Sequence, residues 1–141
     1  MELNLDRVSD LVRNELANGS TRRVVIDSLA ELEFAASHTT RLPAYTWKLA
    51  KLVRSAGASL IITNETASLG LPKVGSVGDL AFLFHNVLIL RYFELESEIR
   101  RALHILKMRD SSHDKAALQF EVDKTGFRIL QRLSSVRGVL G

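Results

Sequence analysis

Apolar positions recur at helical spacing over residues 5–18, where Leu5, Val8, Leu11, Val12 and Leu16 form one stripe. Asn4 suits the cap before this helix, and Asn18-Gly19 reads as its stop. The pattern changes at residues 22–27, RRVVID. Three consecutive β-branched residues predict a buried strand that ends in a carboxylate, Asp27. Residues 28–38 predict a short helix with Glu31 and Glu33 near its start. Pro43 is tolerated in a helix's first turn. It opens a helix whose apolar stripe is Tyr45, Leu49, Leu52, Val53 and Ala56, and Gly57 ends it. Lys48, Lys51 and Arg54 lie elsewhere on that helix, and Trp47 beside Lys48 is read as a packing residue. Residues 58–63, ASLIIT, predict a second buried strand. The glycine-rich stretch 69–79 reads as loop, and residues 86–90, NVLIL, as a third buried strand.

Strands that are apolar on both faces and alternate with helices imply a parallel sheet covered by helices. The last third differs. In IRRALHILKMR the alternation puts Leu103, Ile105, Lys107 and Arg109 on one face, and His104 with Leu106 and Met108 on the other. In ALQFEV, Leu118, Phe120 and Val122 share a face. Residues 123–126, DKTG, form a turn before FRIL. FELESEIRR, 93–101, is read as a solvated turn between strands. The expected fold is therefore α/β: a mainly parallel sheet flanked by helices, with antiparallel strands at the C-terminal edge. One domain is expected, its core about 5–130, with residues 131–141 partly disordered.

The chain has 141 residues and no cysteine, which excludes disulfides and thiolate metal sites. No apolar run approaches the ~20 residues of a membrane span, and no signal-peptide pattern follows Met1. A cytoplasmic protein without a membrane partner is expected. A net charge of +3 suits phosphate ligands. Aromatic residues at 6% and scattered basic residues argue against nucleic acid as a partner. His38, His85, His104 and His113 show no metal-ligand spacing, and His104 is read as a packed histidine.

The densest chemistry lies in residues 107–114, KMRDSSHD. Charged hairpin ends are commonly just solvated. The alternative is an anion site: Lys107 and Arg109 leave one strand end on one face and suit a ligand with several oxygens. Asp110 and Asp114 would hold the cations, and His113 would donate to an oxygen. Asp27 at the end of one strand, with Thr63 and Asn64 at the end of the next, would lie side by side. That is the edge where open α/β sheets bind ligands, although many parallel strands end in Asp without such a role.

The order RRVVIDSLAELE, ASLIITNET, VGDLAFLFHNVLILRYFELESEIRRALHILKMRDSSHD and FEVDKTGFRI resembles the carboxyl-terminal part of a KaiC-like ATPase domain of the RecA superfamily. The resemblance covers residues 5–130. Its most specific piece is KMRDSSHD, which is similar to the family's Lys-Met-Arg-Gly-Ser-x-His-Asp and departs at Asp110, where glycine is usual. The resemblance implies an ATP- and magnesium-using domain in a homo-oligomeric ring with nucleotide between subunits. Asp27 would be the Walker B residue acting on magnesium through water. Thr63 or Asn64 would sense the γ-phosphate. Lys107 and Arg109 would reach the γ-phosphate of the next subunit, with His113 and Asp114 shaping that contact. No G-x-x-x-x-G-K-[ST] occurs in the chain. Alone it is therefore not expected to bind ATP tightly or to hydrolyse it. Either it is a fragment of a longer ATPase, or it is a shortened relative serving as a noncatalytic signalling or oligomerisation module. A P-loop-bearing N-terminal half is a candidate partner. The unpaired edge of the strand at 22–27 is expected to drive self-association.

Overall fold

The computed structural model describes residues 4–36, 41–65 and 80–134. The expected loop at 69–79, His38 and residues 135–141 of the expected tail lie outside the described residues. The chain divides into two compact units, Met1–Thr66 and Ala67–Gly141.

In the first unit, helix α1 spans Leu5–Ala17, and the Asn4 side chain accepts the Arg7 N–H at 2.8 Å, as its cap position demands. Helix α2 spans Leu29–Ala35 and buries Leu29 and Leu32. Helix α3 spans Leu42–Ser55, with Pro43 in its first turn. It buries Leu42, Thr46, Leu49 and Val53, one turn apart in succession. Gly57 follows in the left-handed conformation (φ +72°) that lets the chain leave the helix. Tyr45 is half-buried where α3 meets α1. Its hydroxyl accepts a 3.4 Å hydrogen bond from the Ser9 side chain, and burial pushes its pKa above the ordinary tyrosine value.

Strands β1 (Arg23–Ile26) and β2 (Ser59–Ile62) pair in parallel, Arg23 beside Ser59 and Ile26 beside Ile62. Val24, Ile26, Leu60 and Ile62 share the protected face, and α3 packs against β2. The opposite face is open: Val25 is 60% and Ile61 50% exposed. The expectation that both faces would be buried is thus corrected. Among the described residues, helices cover one.

The described part of the second unit starts with the buried Leu80 and a 3-10 turn, Ala81–Leu83. Four antiparallel strands follow in spatial order: β3 (Asn86–Leu95), β4 (Glu98–Met108), β5 (Leu118–Asp123) and β6 (Gly126–Arg132). The β3–β4 connection is two residues, Glu96 and Ser97, both at positive φ (54° and 63°), as a tight hairpin requires. FELESEIRR is therefore mostly strand rather than turn. Asp123–Gly126 closes the β5–β6 hairpin as expected. Phe93 and Ala102 form the buried centre, with Leu95, Ala117 and Leu133 packed on them.

Two expectations change here. Residues 86–90 do not extend the parallel sheet. They pair antiparallel with β4, and Val87 is buried while Leu88 and Leu90 are exposed. A short apolar run reads alike for a strand buried on both faces and for one whose outer face is open and greasy. The second change is a β-bulge. Lys107 pairs with Val87 and Ile105 with Leu88, so Leu106 is an extra residue. One extra residue inverts the alternation. Lys107 therefore shares the face of buried Val87, not that of Leu103 and Ile105. His104, opposite Ile89 and half-buried, is separated from the face of Met108 in the same way.

Candidate functional site

The first cluster forms where β1 and β2 end. The Thr63 N–H donates to the Ile26 carbonyl at 3.0 Å, carrying the parallel pairing one step past the strands. The Leu29 N–H donates to the Thr63 carbonyl at 2.7 Å, which ties the start of α2 to the end of β2. These two main-chain bonds bring Asp27 and Thr63 together, and the Thr63 hydroxyl donates to Asp27 Oδ1. Both residues are exposed. Asn64 follows, half-buried, and its side-chain amide nitrogen has no acceptor among the described residues. The carboxyl edge of the parallel pair thus carries a carboxylate and a hydroxyl side by side, and the Asn64 amide nitrogen next to them is buried.

The second cluster forms where β4 ends. The Arg109 N–H donates to the His85 carbonyl at 2.9 Å, extending the β3–β4 pairing. Lys107 and Arg109, two residues apart, therefore project on one side. Their side chains reach consecutive carbonyls of the 3-10 turn. Lys107 Nζ donates to Ala81 O at 2.8 Å and an Arg109 terminal nitrogen donates to Phe82 O at 3.3 Å. Lys107 is half-buried and Arg109 exposed.

Asp110 and Asp114 do not hold these cations, contrary to expectation. Asp114 Oδ2 lies 2.7 Å from an Arg132 terminal nitrogen, and its Oδ1 accepts the Ala116 N–H at 3.0 Å. Asp114 therefore fastens the loop after β4 to the end of β6. Asp110 is exposed at φ +62° and turns the chain. His113 is half-buried in the same loop. The sequence reading missed the carbonyl partners of the cations, because main-chain oxygens carry no residue signature. It also missed Arg132, eighteen positions beyond Asp114. Trp47, read as packing, is 51% exposed on α3 with Lys51 Nζ 5.2 Å from its ring centroid.

Magnesium takes oxygen ligands and commonly keeps one or two carboxylates, several waters and substrate phosphates. Asp27 and Thr63 supply hard oxygens side by side. No cluster of three or more histidine or acidic side chains fit to hold a metal occurs among the described residues. A cation at Asp27 would accordingly complete its shell from water and phosphate, so the residues fit such a group.

A parallel pair presenting Asp27 and Thr63 at its carboxyl edge, and an antiparallel sheet ending in paired cations, define a mixed α/β protein of the RecA-like class. The family model for the KaiC ATPase matches residues 1–134, and the chain belongs to that family. A circadian clock protein KaiC3 from Synechocystis sp. is 26% identical over 137 residues, covering 97% of this chain and 27% of the relative. The circadian clock oscillator protein KaiC of Synechococcus elongatus is 32% identical over 126 residues, covering 82% of this chain and 24% of that protein. The crystal structure of a KaiC-like protein from the hyperthermophilic archaeon Pyrococcus horikoshii OT3 superposes with a TM-score of 0.77 at 23% identity. It covers 90% of this chain and 54% of that one, and it supports the fold. The chain spans about a quarter of the length of the curated relatives it matches. No helix among the described residues is long and apolar enough to cross a membrane.

Proposed function

We propose that this chain is the carboxyl-terminal portion of a KaiC-like ATPase domain. In this reading it supplies a magnesium-side carboxylate to its own subunit and a cation pair to the nucleotide of the adjoining one. The observation that carries the reading is the placement of Lys107 and Arg109 on one side of the β4 end, where among the described residues each bonds a neutral carbonyl. A charge-assisted bond to phosphate is about twice as strong as a neutral one, so a triphosphate presented there competes well for both donors. Asp27 orients the water shell of magnesium, with its own carboxylate held by the Thr63 hydroxyl. Thr63 or Asn64 senses the γ-phosphate; the Asn64 amide nitrogen is buried and must turn outward to do so. His113 and Asp114 keep the loop beyond Arg109 in shape, Asp114 through Arg132. ATP with magnesium supplies the phosphoryl chemistry when bound; these residues position and neutralise it.

The sequence contains no G-x-x-x-x-G-K-[ST] motif. Turnover in this reading needs a P-loop-bearing N-terminal half or a homologous subunit, and a homo-oligomer places the cation pair across an interface. The missing motif also favours the second reading, a noncatalytic signalling or oligomerisation module built on the same fold. The two separate on mixing this chain with a P-loop-bearing KaiC-like domain and measuring ATP turnover. Trans-acting cations are worth about 10³–10⁵ in rate in related phosphoryl-transfer systems. Lys107→Ala and Arg109→Ala should each lower the stimulated rate at least ~10-fold on that scale. Stimulation that survives both substitutions overturns the cross-subunit role, and a mixture with no stimulation at all favours the noncatalytic module.

A further inference from the structure

The two carbonyls that receive the cations belong to the 3-10 turn that leads into β3. Inside this turn the Leu83 N–H donates to Leu80 O at 2.9 Å, and the Phe84 N–H donates to Ala81 O at 3.4 Å. Ala81 O thus accepts twice, and its shorter bond, at 2.8 Å, comes from the Lys107 ammonium. Phe82 O accepts from the Arg109 guanidinium at 3.3 Å. A 3-10 turn has poor hydrogen-bond geometry of its own. Leu80 anchors it from below at 3% exposure, but the Phe82 side chain is 62% exposed and packs little. Two cationic side chains of β4 therefore supply much of what fixes the turn. The main-chain tie beside them, from the Arg109 N–H to His85 O at 2.9 Å, does not depend on where those side chains point.

We propose that Lys107 and Arg109 latch the Ala81–Leu83 turn, and that a polyphosphate drawing both cations to itself unlatches it. This rests on the nucleotide reading above and adds its consequence inside the subunit: nucleotide at the cation pair is reported to the segment that enters β3. The two states differ in where the same donors point. Latched, they bond two consecutive main-chain carbonyls. Unlatched, they make shorter and stronger charge-assisted bonds to phosphate oxygens, and both carbonyls lose their charged partners. The Arg109 N–H stays on His85 O, so β4 keeps its register with β3 and the change is confined to residues 80–84. Linkage makes the effect reciprocal: whatever loosens the turn strengthens polyphosphate binding by the same factor.

Hydrogen exchange of the Leu83 and Phe84 amides, whose acceptors are Leu80 O and Ala81 O, tests this by NMR on the full chain, with inorganic triphosphate as the probe. Without the probe, Lys107→Met and Arg109→Gln should each raise exchange at these amides at least ~3-fold, since each removes one tie, with an unchanged circular-dichroism spectrum. The wild type should show the same rise at saturating triphosphate, whose binding its own phosphorus signal reports, and the double variant should show no response. Ala81→Gly frees the turn's backbone without touching either cation, and should tighten triphosphate binding about 2–5-fold. Triphosphate that binds the wild type while both amides stay protected overturns the latch and leaves the nucleotide reading standing. Turnover in the mixed assay that ignores both cations, with triphosphate still releasing the amides, removes the cross-subunit role and upholds the latch. Variants with unaltered exchange, unchanged affinity in Ala81→Gly, or a wild type that does not bind triphosphate at about 10 mM each overturn the proposal.

Discussion

Asp110 illustrates how one backbone angle explains one residue. It turns the chain after β4 at φ +62°, a conformation in which a side chain crowds the following carbonyl. Glycine escapes that penalty, and Asp and Asn bear it better than other residues because they bond locally. A glycine is usual in the family motif that KMRDSSHD resembles, so the departure was visible in the sequence; its harmlessness was visible only in the angle. Asp110→Gly should leave the unfolding free energy within about 1 kcal/mol of wild type, and Asp110→Val should lower it by about 1–2 kcal/mol. Urea titration distinguishes them, and equal effects would mean the turn is not left-handed. Asp123 acts through hydrogen bonds instead. It accepts the Thr125 hydroxyl and the Thr125 N–H, at 2.5 and 2.7 Å, and these bonds hold its pKa below the ordinary carboxylate value. A depressed carboxylate contributes stability that is present above the unfolded pKa and lost as pH falls through the folded one. Thr125→Val should raise the Asp123 titration midpoint in carboxyl-carbon NMR and shrink that acid-side loss. An unmoved midpoint would show that Thr125 does not set it.

At the scale of the element, β4 decides where the cations point. The alternation in IRRALHILKMR was legible and the strand was read correctly, but a single unpaired residue leaves no trace in a pattern of period two. Leu106 is that residue. The i, i+2 relation of Lys107 and Arg109 survives the bulge, because both lie beyond it, whereas their relation to Leu103 and Ile105 does not. The carbonyls that receive them belong to residues 26 and 27 positions away, a distance no local pattern spans. Deleting Leu106 sets Lys107 directly after Ile105, which restores regular pairing and keeps Lys107 opposite Val87, so both cations stay on their present face. Lys107 acylation by a small reagent, followed by mass spectrometry, should therefore stay as slow as in the wild type, since the half-buried, hydrogen-bonded ammonium is not released. Leu106→Ala keeps the residue count and should also leave Lys107 protected. A several-fold rise on deletion would mean that Leu106 is not the unpaired residue and that the cations had turned to the opposite face. The parallel pair was the more readable part: VVID and LIIT end at the same edge, and chain order alone put Asp27 beside Thr63.

For the whole molecule, the open faces matter most. Val25 and Ile61 are bare on the parallel pair, and on the antiparallel sheet Leu88, Leu90 and Tyr92 lie along one outer face of β3 with more than half of each side chain exposed. Parallel strands are ordinarily covered on both faces, and contiguous apolar surface in a folded protein marks a place where something else sits. Those same residues led the sequence reading to a fully buried sheet: hydrophobicity reports that a face is to be covered, and is silent on whether this chain or another does it. A hydrophobic dye such as anilinonaphthalenesulfonate should therefore bind the native protein, with fluorescence that persists in conditions where the circular-dichroism spectrum is fully native. Leu88→Thr with Leu90→Thr places β-branched strand formers at both positions. It should dim the dye markedly while changing the unfolding free energy by no more than about 0.5 kcal/mol per site. Phe93→Ala, which empties the buried centre of the same sheet, should cost about 3–5 kcal/mol. If the native protein leaves the dye dark, or if the two threonines destabilise as Phe93→Ala does, then these faces are closed in solution and the chain packs on itself more completely than its exposed leucines indicate.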